Sequence, residues 1–293
     1  MFRNLSPGAI GIGCSTAGGM ALARAAGFEG VDVNIGELVD NSSPDDARKM
    51  FDQAGLRPGP WGLPVKWRAE ESVYRQHLKE LEPVAEFAAA MGAERTATFL
   101  PSWSEEITFE TNFEFHVSRF RPIAKVLAKC GCRLGLEFLG PKTLRDGHRY
   151  EFIHTLDGML DLCRAIDTGN VGLLLDAWHW YTSSGTIDDL KALNDSDVVC
   201  VHINDAPAGV EIDQQVDNVR CLPGETGVID LAGFLGALKH IRYTGPVTPE
   251  PFSAKVKAMP PDEAAAATGQ ALLKVWEVLG SAHSCHSERR GAA

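Results

Sequence analysis

Four residues that can bind a metal ion are spread over the second half of the chain, each inside or just after a short apolar segment. They are Glu137 in CRLGLEFLG, Asp176 in NVGLLLDAWHW, His202 in VVCVHINDAP and Glu250 in GPVTPEPF. Their separations of 39, 26 and 48 residues are too long for any local motif. They become neighbours only if the four segments are adjacent strands whose carboxyl ends meet at one edge.

The chemistry of these four side chains favours a divalent cation. Three carboxylates that converge without a cation repel one another and lose their hydration, and a divalent ion removes both costs. Three carboxylate oxygens and one imidazole form a hard, oxygen-rich set that favours Mn²⁺, Mg²⁺ or Co²⁺, with Zn²⁺ as a further possibility. A polar strand end facing solvent explains any one Glu or Asp, but four successive strands ending this way indicate one metal site.

The elements that would position these residues alternate along the chain. Short apolar segments predict strands and amphipathic stretches predict helices, with Gly, Pro, Asp or Ser at the joints. The predicted strands are residues 10–14, 30–34, 56–63, 95–100, 132–139, 171–177, 198–204 and 245–252. The predicted helices are residues 43–55, 71–91, 109–129, 155–166, 187–193, 230–241 and 261–279. This alternation requires parallel pairing with right-handed crossovers, and eight such units close into an α/β fold, the (β/α)₈ TIM barrel.

Length and composition agree with one enzyme-sized domain. The chain has 293 residues and no linker or shift in composition near its middle. Residues 1–280 are therefore predicted to form a single TIM-barrel catalytic domain, and the small, polar residues 281–293 a flexible C-terminal tail.

The net charge and the cysteine pattern limit the classes of binding partner and the cellular compartment that we expect. The 28 Lys and Arg against 39 Asp and Glu give a net charge of −11, which disfavours nucleic acid. No apolar run reaches the roughly 18 residues of a membrane span. Seven scattered cysteines without a CxxC pair favour reduced thiols in a cytoplasmic protein. No GxGxxG or P-loop follows a strand, so no nucleotide cofactor is expected.

Several residues near the predicted strand ends have two interpretations each. His179 either contacts the substrate or a water on the metal, or packs between neighbouring tryptophans. Asp205 either caps a loop or orients His202 through a hydrogen bond. Lys142 suits contact with a sugar or an anion, or lies in a solvated loop. Aromatic rings at the same end stack on a sugar ring or pack in the core; they are Trp61, Trp67, Phe99, Trp103 and Trp178.

Several motifs together resemble one superfamily. The four strand ends, the DAWH segment, GFEGVDV and the stretch RCLPGETGVIDLAGFLGALKHIRYTGPVTPEPF are similar to the sugar phosphate isomerase/epimerase superfamily of xylose isomerase-like barrels. That superfamily includes ketose 3-epimerases, hydroxypyruvate isomerases, inosose dehydratases and isomerases, and endonuclease IV. The resemblance covers nearly the whole chain and is strongest from residue 134 to residue 252.

The resemblance implies a role for each matching residue. The residues implied as ligands of one metal ion are Glu137, Asp176, His202 and Glu250. Glu137 and Glu250 would also exchange a proton with a carbon next to a carbonyl. His179 and Arg220 would contact substrate oxygens, and Lys142 and Trp178 are further candidates for substrate binding. A small carbohydrate or keto-cyclitol substrate and a possible homo-oligomer are implied as well.

The expected reaction is proton transfer through an enediolate. Return of the proton to the opposite face inverts the carbon, and return to the neighbouring carbon isomerises the sugar. The sequence thus predicts a divalent-metal-dependent sugar or sugar-derivative isomerase or epimerase. The alternative is a metal-dependent dehydratase or lyase acting on a keto-cyclitol, dehydroshikimate or keto-sugar, since loss of a β-hydroxyl follows from the same intermediate.

Two other classes are less favoured. A DNA-repair endonuclease would need extra histidines, and the third and fourth strand ends, PWGLP and TATFLPS, contain none. A non-catalytic barrel would not need the pair of glutamates.

Overall fold

The computed structural model describes residues 1–287, with side chains up to residue 279, and is built on parallel strands alternating with helices. The strands are β1 Phe2–Leu5, β2 Gly30–Val31, β3 Arg57–Pro58, β4 Trp61–Gly62, β5 Arg95–Phe99, β6 Trp103–Ser104, β7 Arg133–Glu137, β8 Tyr150–Glu151, β9 Val171–Asp176, β10 Val198–Ile203 and β11 Pro246–Pro249. Nine of them form one sheet, and β6 pairs with β8 in a separate antiparallel ribbon.

The nine-stranded sheet closes into a barrel. Its order is β3-β2-β1-β11-β10-β9-β7-β5-β4, and all its pairings are parallel. The two end strands, β3 and β4, are separated by only two residues. The segment that contains both β3 and β4 therefore has a neighbouring strand on each side. Arg57 of β3 lies opposite Gly30 of β2, and Trp61 of β4 lies opposite Thr96 of β5. Eight strand positions surround one axis, which confirms the predicted TIM barrel.

Helices follow the strands around the outside. They are α1 Thr16–Ala25, α2 Ile35–Asn41, α3 Pro44–Ala54, α4 Glu71–Met91, α5 Phe109–Lys129, α6 Leu156–Ile166, α7 Ala177–Thr182, α8 Ile187–Lys191, α9 Leu231–His240, α10 Ala254–Lys257 and α11 Pro261–Ser287. Both ends of α3 are capped: the Ser43 side chain accepts a hydrogen bond from the amide of Asp46, and Gly55 ends the helix with a φ of 65°. No helix formed by the described residues has both the length and the apolar character needed to span a bilayer.

Three sequence predictions need correction or lie partly outside the structure. The first strand is β1, not residues 10–14, because Ile10 is buried in a 3₁₀ turn that leads to α1. The prolines of the third predicted strand divide it into β3 and β4. Residues 281–287 of the predicted tail continue α11, and residues 288–293 lie outside the described part of the chain.

The barrel interior holds a small apolar layer below the site. Ala97 of β5 packs against Leu174, Val199 and Cys200 of two strands on the far side. Because side chains alternate between the two faces of a strand, the residue two positions later on each strand also points inward, nearer the carboxyl end. The next inward layer therefore contains Asp176 and His202, which lie two positions after Leu174 and Cys200.

Candidate metal centre

Four neighbouring strands bring the predicted ligands together. Glu137 ends β7, Asp176 ends β9, His202 lies in β10 and Glu250 directly follows β11. His202 is the register partner of Asp176. One donor atom from each of the four side chains lies within 4.8 Å of the others. Residues spread over 113 positions of the sequence, from Glu137 to Glu250, thus form one cluster.

Two of the candidate metal-ligating atoms in this cluster lack hydrogen-bond partners. Glu137 Oε1 and His202 Nδ1 are buried, and neither makes a hydrogen bond. His202 Nδ1 lies 3.7 Å from Glu137 Oε1 and 3.3 Å from Glu250 Oε2. A buried polar atom without a partner costs about 1–3 kcal/mol. A single cation between the strands would satisfy both atoms, so the residues present fit a divalent metal.

The electrostatics of the cluster show an excess of negative charge. Burial lowers the pKa of His202, but the carboxylates of Glu250, Glu137 and Asp176 outweigh that effect and raise this pKa to about 10. Burial and the neighbouring Glu250 raise the pKa of Glu137 well above its usual range. A bound cation would favour the ionised carboxylates and the neutral imidazole that coordination requires.

Arg220 partly offsets this negative charge. Its guanidinium is buried, and Nη1 donates to Asp176 Oδ2 at 2.8 Å and to Glu250 Oε2 at 3.0 Å. Nη2 donates to Asp217 Oδ1 at 2.8 Å. The structure therefore places Arg220 inside the site, with its charge directly on two of the candidate ligands.

His179 faces the same site, and each of its ring nitrogens lies next to an N–H group. The amide of Gly140 donates to His179 Nδ1 at 3.2 Å, and Arg220 Nη2 lies 3.3 Å from His179 Nε2. Burial lowers the pKa of His179 to about 4, so the ring is neutral near pH 7. Nε2 lies 3.9 Å from Glu137 Oε1. A glycine is needed at residue 140, since a Cβ there would lie 2.2 Å from the His179 carbonyl oxygen. His179 Nε2 thus faces the candidate site next to Arg220 and Glu137.

Two residues predicted to bind substrate make other contacts in this structure. Trp178 is fully buried, with 0% of its surface exposed, and its ring lies 5.3 Å from the guanidinium carbon of Arg220. It supports Arg220 from the core, because α7 turns the ring inward directly after Asp176. Lys142 forms an ion pair with Asp213 at 3.0 Å. It links the loop after β7 to the loop after β10 at the surface.

Asp205 holds a loop rather than His202. Its carboxylate accepts hydrogen bonds from the amides of Ala206, Thr226, Gly227 and Ile229, at distances of 2.7–3.0 Å. No hydrogen bond joins it to His202. The capping interpretation is the one that the geometry supports, and the loop it holds begins just after Arg220.

Replacing Asp205 by Ala is expected to lower the free energy of unfolding by about 2–4 kcal/mol, because four amides lose their acceptor. We also expect kcat/KM to fall, since the loop beside Arg220 loses its anchor. Urea unfolding and steady-state kinetics measure the two effects. Asp213→Ala, which removes only an exposed ion pair, is the control and should change stability by less than about 1 kcal/mol. Equal stability of the two variants would contradict this role.

Three polar residues at the site were not singled out from the sequence. Asn204 Nδ2 donates to Asp176 Oδ1 at 3.0 Å and so orients one candidate ligand. Asp217 pairs with Arg220 as described above. The Asp32 carboxylate accepts a hydrogen bond from Asn4 Nδ2 at 2.6 Å and interacts electrostatically with His202 and Glu250, and burial raises its pKa to about 6. Asn204 directly follows β10, and Asp32 directly follows β2 within the motif GFEGVDV. Position at a strand end was therefore the available signal for both residues.

Fold and site together define a class: a TIM barrel with a carboxylate and histidine cluster at the carboxyl ends of its strands. Residues 20–276 match the family described as the xylose isomerase-like TIM barrel. A solved xylose isomerase domain protein from Alicyclobacillus acidocaldarius is 30% identical, with a TM-score of 0.85 over 96% of this chain and 99% of that one. The chain belongs to the xylose isomerase-like TIM barrel family.

Two curated relatives have different activities. A 3-dehydroshikimate dehydratase from Pseudomonas aeruginosa is 28% identical over 241 residues, which cover 80% of this chain and 36% of that protein. An inosose isomerase from Bacillus velezensis is 25% identical over 186 residues, which cover 62% of each protein. The chain therefore spans less than two thirds of the length of both relatives.

Proposed function

We propose that this protein is a divalent-metal-dependent isomerase or epimerase that acts on a sugar or sugar derivative by proton transfer next to a carbonyl. The observation that carries the proposal is the cluster of four donor atoms within 4.8 Å, in which two buried atoms have no hydrogen-bond partner. The inosose isomerase relative supports the same reaction class.

The sheet order supports a role for the two glutamates in proton transfer. Glu137 and Glu250 come from β7 and β11, which are separated in the sheet by β9 and β10. They therefore stand at opposite ends of the cluster, on either side of a substrate bound above it. One carboxylate removes the proton next to the carbonyl, and the other returns a proton to the same or the neighbouring carbon. A divalent cation held by the cluster would stabilise the negative charge of the enediolate.

His179 and Arg220 complete the polar surface. His179 contacts a substrate oxygen through Nε2, and its neutral state prevents it from competing with the glutamates as an acid. Arg220 lies against Asp176 and Glu250 and balances their charge. Both side chains are nearly fully buried, so their orientation is set before substrate arrives.

A dehydratase is the second candidate function. The relative from Pseudomonas aeruginosa favours it, because its match covers 80% of this chain. Both reactions begin with loss of the same proton, and they differ in whether a β-hydroxyl then leaves. The residues around the substrate, not the cluster itself, decide between them.

Solvent-deuterium exchange tests the shared first step. The Mn²⁺-loaded protein is incubated in D₂O with a panel of ketoses, inososes and cyclic keto acids, and products are examined by NMR and mass spectrometry. We expect deuterium next to the carbonyl of at least one compound, together with an isomer or epimer. An enone product with loss of water would favour the dehydratase. Absence of exchange with every compound would contradict both functions.

A further inference from the structure

One wall of the barrel mouth carries an exposed aromatic ring. Phe99 ends β5 and is the register partner of Glu137 on β7, so the two residues lie one strand spacing apart, about 4.8 Å. Ala97, two residues earlier, packs inside the barrel, and Phe99 therefore points inward as well, above that layer. Phe99 is 46% exposed, an unusual value for a ring on the inner face of a barrel. It forms an apolar surface beside the candidate metal centre.

A cation covers this ring. The guanidinium carbon of Arg68 lies 5.5 Å from the centre of the Phe99 ring and 5.2 Å from that of Trp67. Arg68 is exposed, and within the described part of the chain no carboxylate pairs with it. Its neighbour Arg119, by contrast, forms an ion pair with Glu71. The two rings hold the guanidinium in place while its N–H donors stay available.

Arg68 also lines a cavity next to the mouth. The cavity has a volume of about 480 Å³, and its lining includes the rings of Trp67 and Trp103 and three carboxylates, Glu70, Glu71 and Glu106. This volume lies in the range of sites for small molecules. Arg68 thus lies where the cavity meets the wall formed by Phe99, on the side of the mouth formed by β4 and β5.

We propose that the substrate carries an anionic oxyacid group, a carboxylate or a phosphate ester, away from its reacting carbon, and that Arg68 binds this group. A guanidinium presents paired N–H donors that match the two oxygens of such a group. Phe99 contacts the ring of the same substrate. The inference rests on the proposed function, since it places the reacting carbon at the cluster beside Phe99. A neutral ketose or inosose would leave Arg68 without a partner.

Matched pairs of ligands test this role. Binding of shikimate and its methyl ester, and of myo-inositol 1-phosphate and myo-inositol, is measured by calorimetry on the Mn²⁺-loaded protein. In each pair only the anionic group differs, and the two pairs distinguish carboxylate from phosphate. The variant Arg68→Met keeps the apolar stem and removes the charge. Lys66→Met removes an exposed charge two residues away and is the control.

We expect at least one anionic ligand to bind more tightly than its neutral partner, and Arg68→Met to weaken that ligand about 10- to 100-fold. The affinity of Arg68→Met for the neutral ligands should change less than about twofold. Lys66→Met should leave the affinities for anionic and neutral ligands unchanged. Equal affinity for charged and neutral ligands, or equal losses in the two variants, would overturn the proposal. Metal binding and deuterium exchange are measured separately. If the protein binds no metal or catalyses no exchange, but still binds anions through Arg68, the proposed function is refuted and the role of Arg68 in anion binding stands.

Discussion

Replacing Glu137 or Glu250 by Gln is expected to lower kcat by about 10²- to 10⁴-fold, the usual contribution of a positioned acid or base. An amide has nearly the shape of the carboxylate but neither accepts nor returns a proton under these conditions. Both side chains lie at the candidate site, Glu137 buried and Glu250 against Arg220 and His202. The loss should therefore appear in turnover rather than in folding.

The measurement compares steady-state kinetics, thermal unfolding and bound metal for each variant. Glu263→Gln, an exposed change in the first turn of α11, is the control and should retain full activity. If either site variant keeps its activity with the metal still bound, that glutamate has no part in proton transfer. If a variant loses metal but recovers full activity when excess metal is added, the glutamate acts only as a metal ligand. Its role in proton transfer is then refuted.

Removing divalent metal by chelation is expected to abolish turnover and to lower thermal stability, both reversibly. A ligand that binds only the folded protein adds about 2.7 kcal/mol of stability at 100 times its dissociation constant. We expect the apoprotein to remain folded, because Arg220 still neutralises part of the charge on Asp176 and Glu250. Restoring Mn²⁺, Mg²⁺, Co²⁺ or Zn²⁺ one at a time, with activity and unfolding temperature recorded, identifies the effective ion. Full activity after verified removal of metal would contradict a metal-dependent reaction.

The fold was predictable wherever a strand or helix was long enough to show a period. The bounds predicted for α4 and α5 agree with the structure, and β9 and β10 lie within their predicted segments. The two-residue strands β2, β3 and β4 are too short for any alternation. The strand β1 was missed because its sequence FRNL contains two polar residues, and Asn4 points into the barrel towards Asp32.

The sequence predicted those site residues that lie at the end of a strand. The four candidate ligands satisfy that condition, and the structure brings them together. Trp178 satisfies it too, but one turn of α7 directs its ring into the core. The pairing of Arg68 with Phe99 joins residues from different loops, and no spacing in the sequence indicates it.

The central claim is that four strands of one barrel hold a single divalent ion. A crystal structure of the Mn²⁺-soaked protein, with anomalous diffraction recorded above the manganese absorption edge, tests it most directly. We expect one peak about 2.0–2.4 Å from Glu137, Asp176, His202 and Glu250 together. A peak bound elsewhere, or no peak at these four side chains at saturating Mn²⁺, would contradict it.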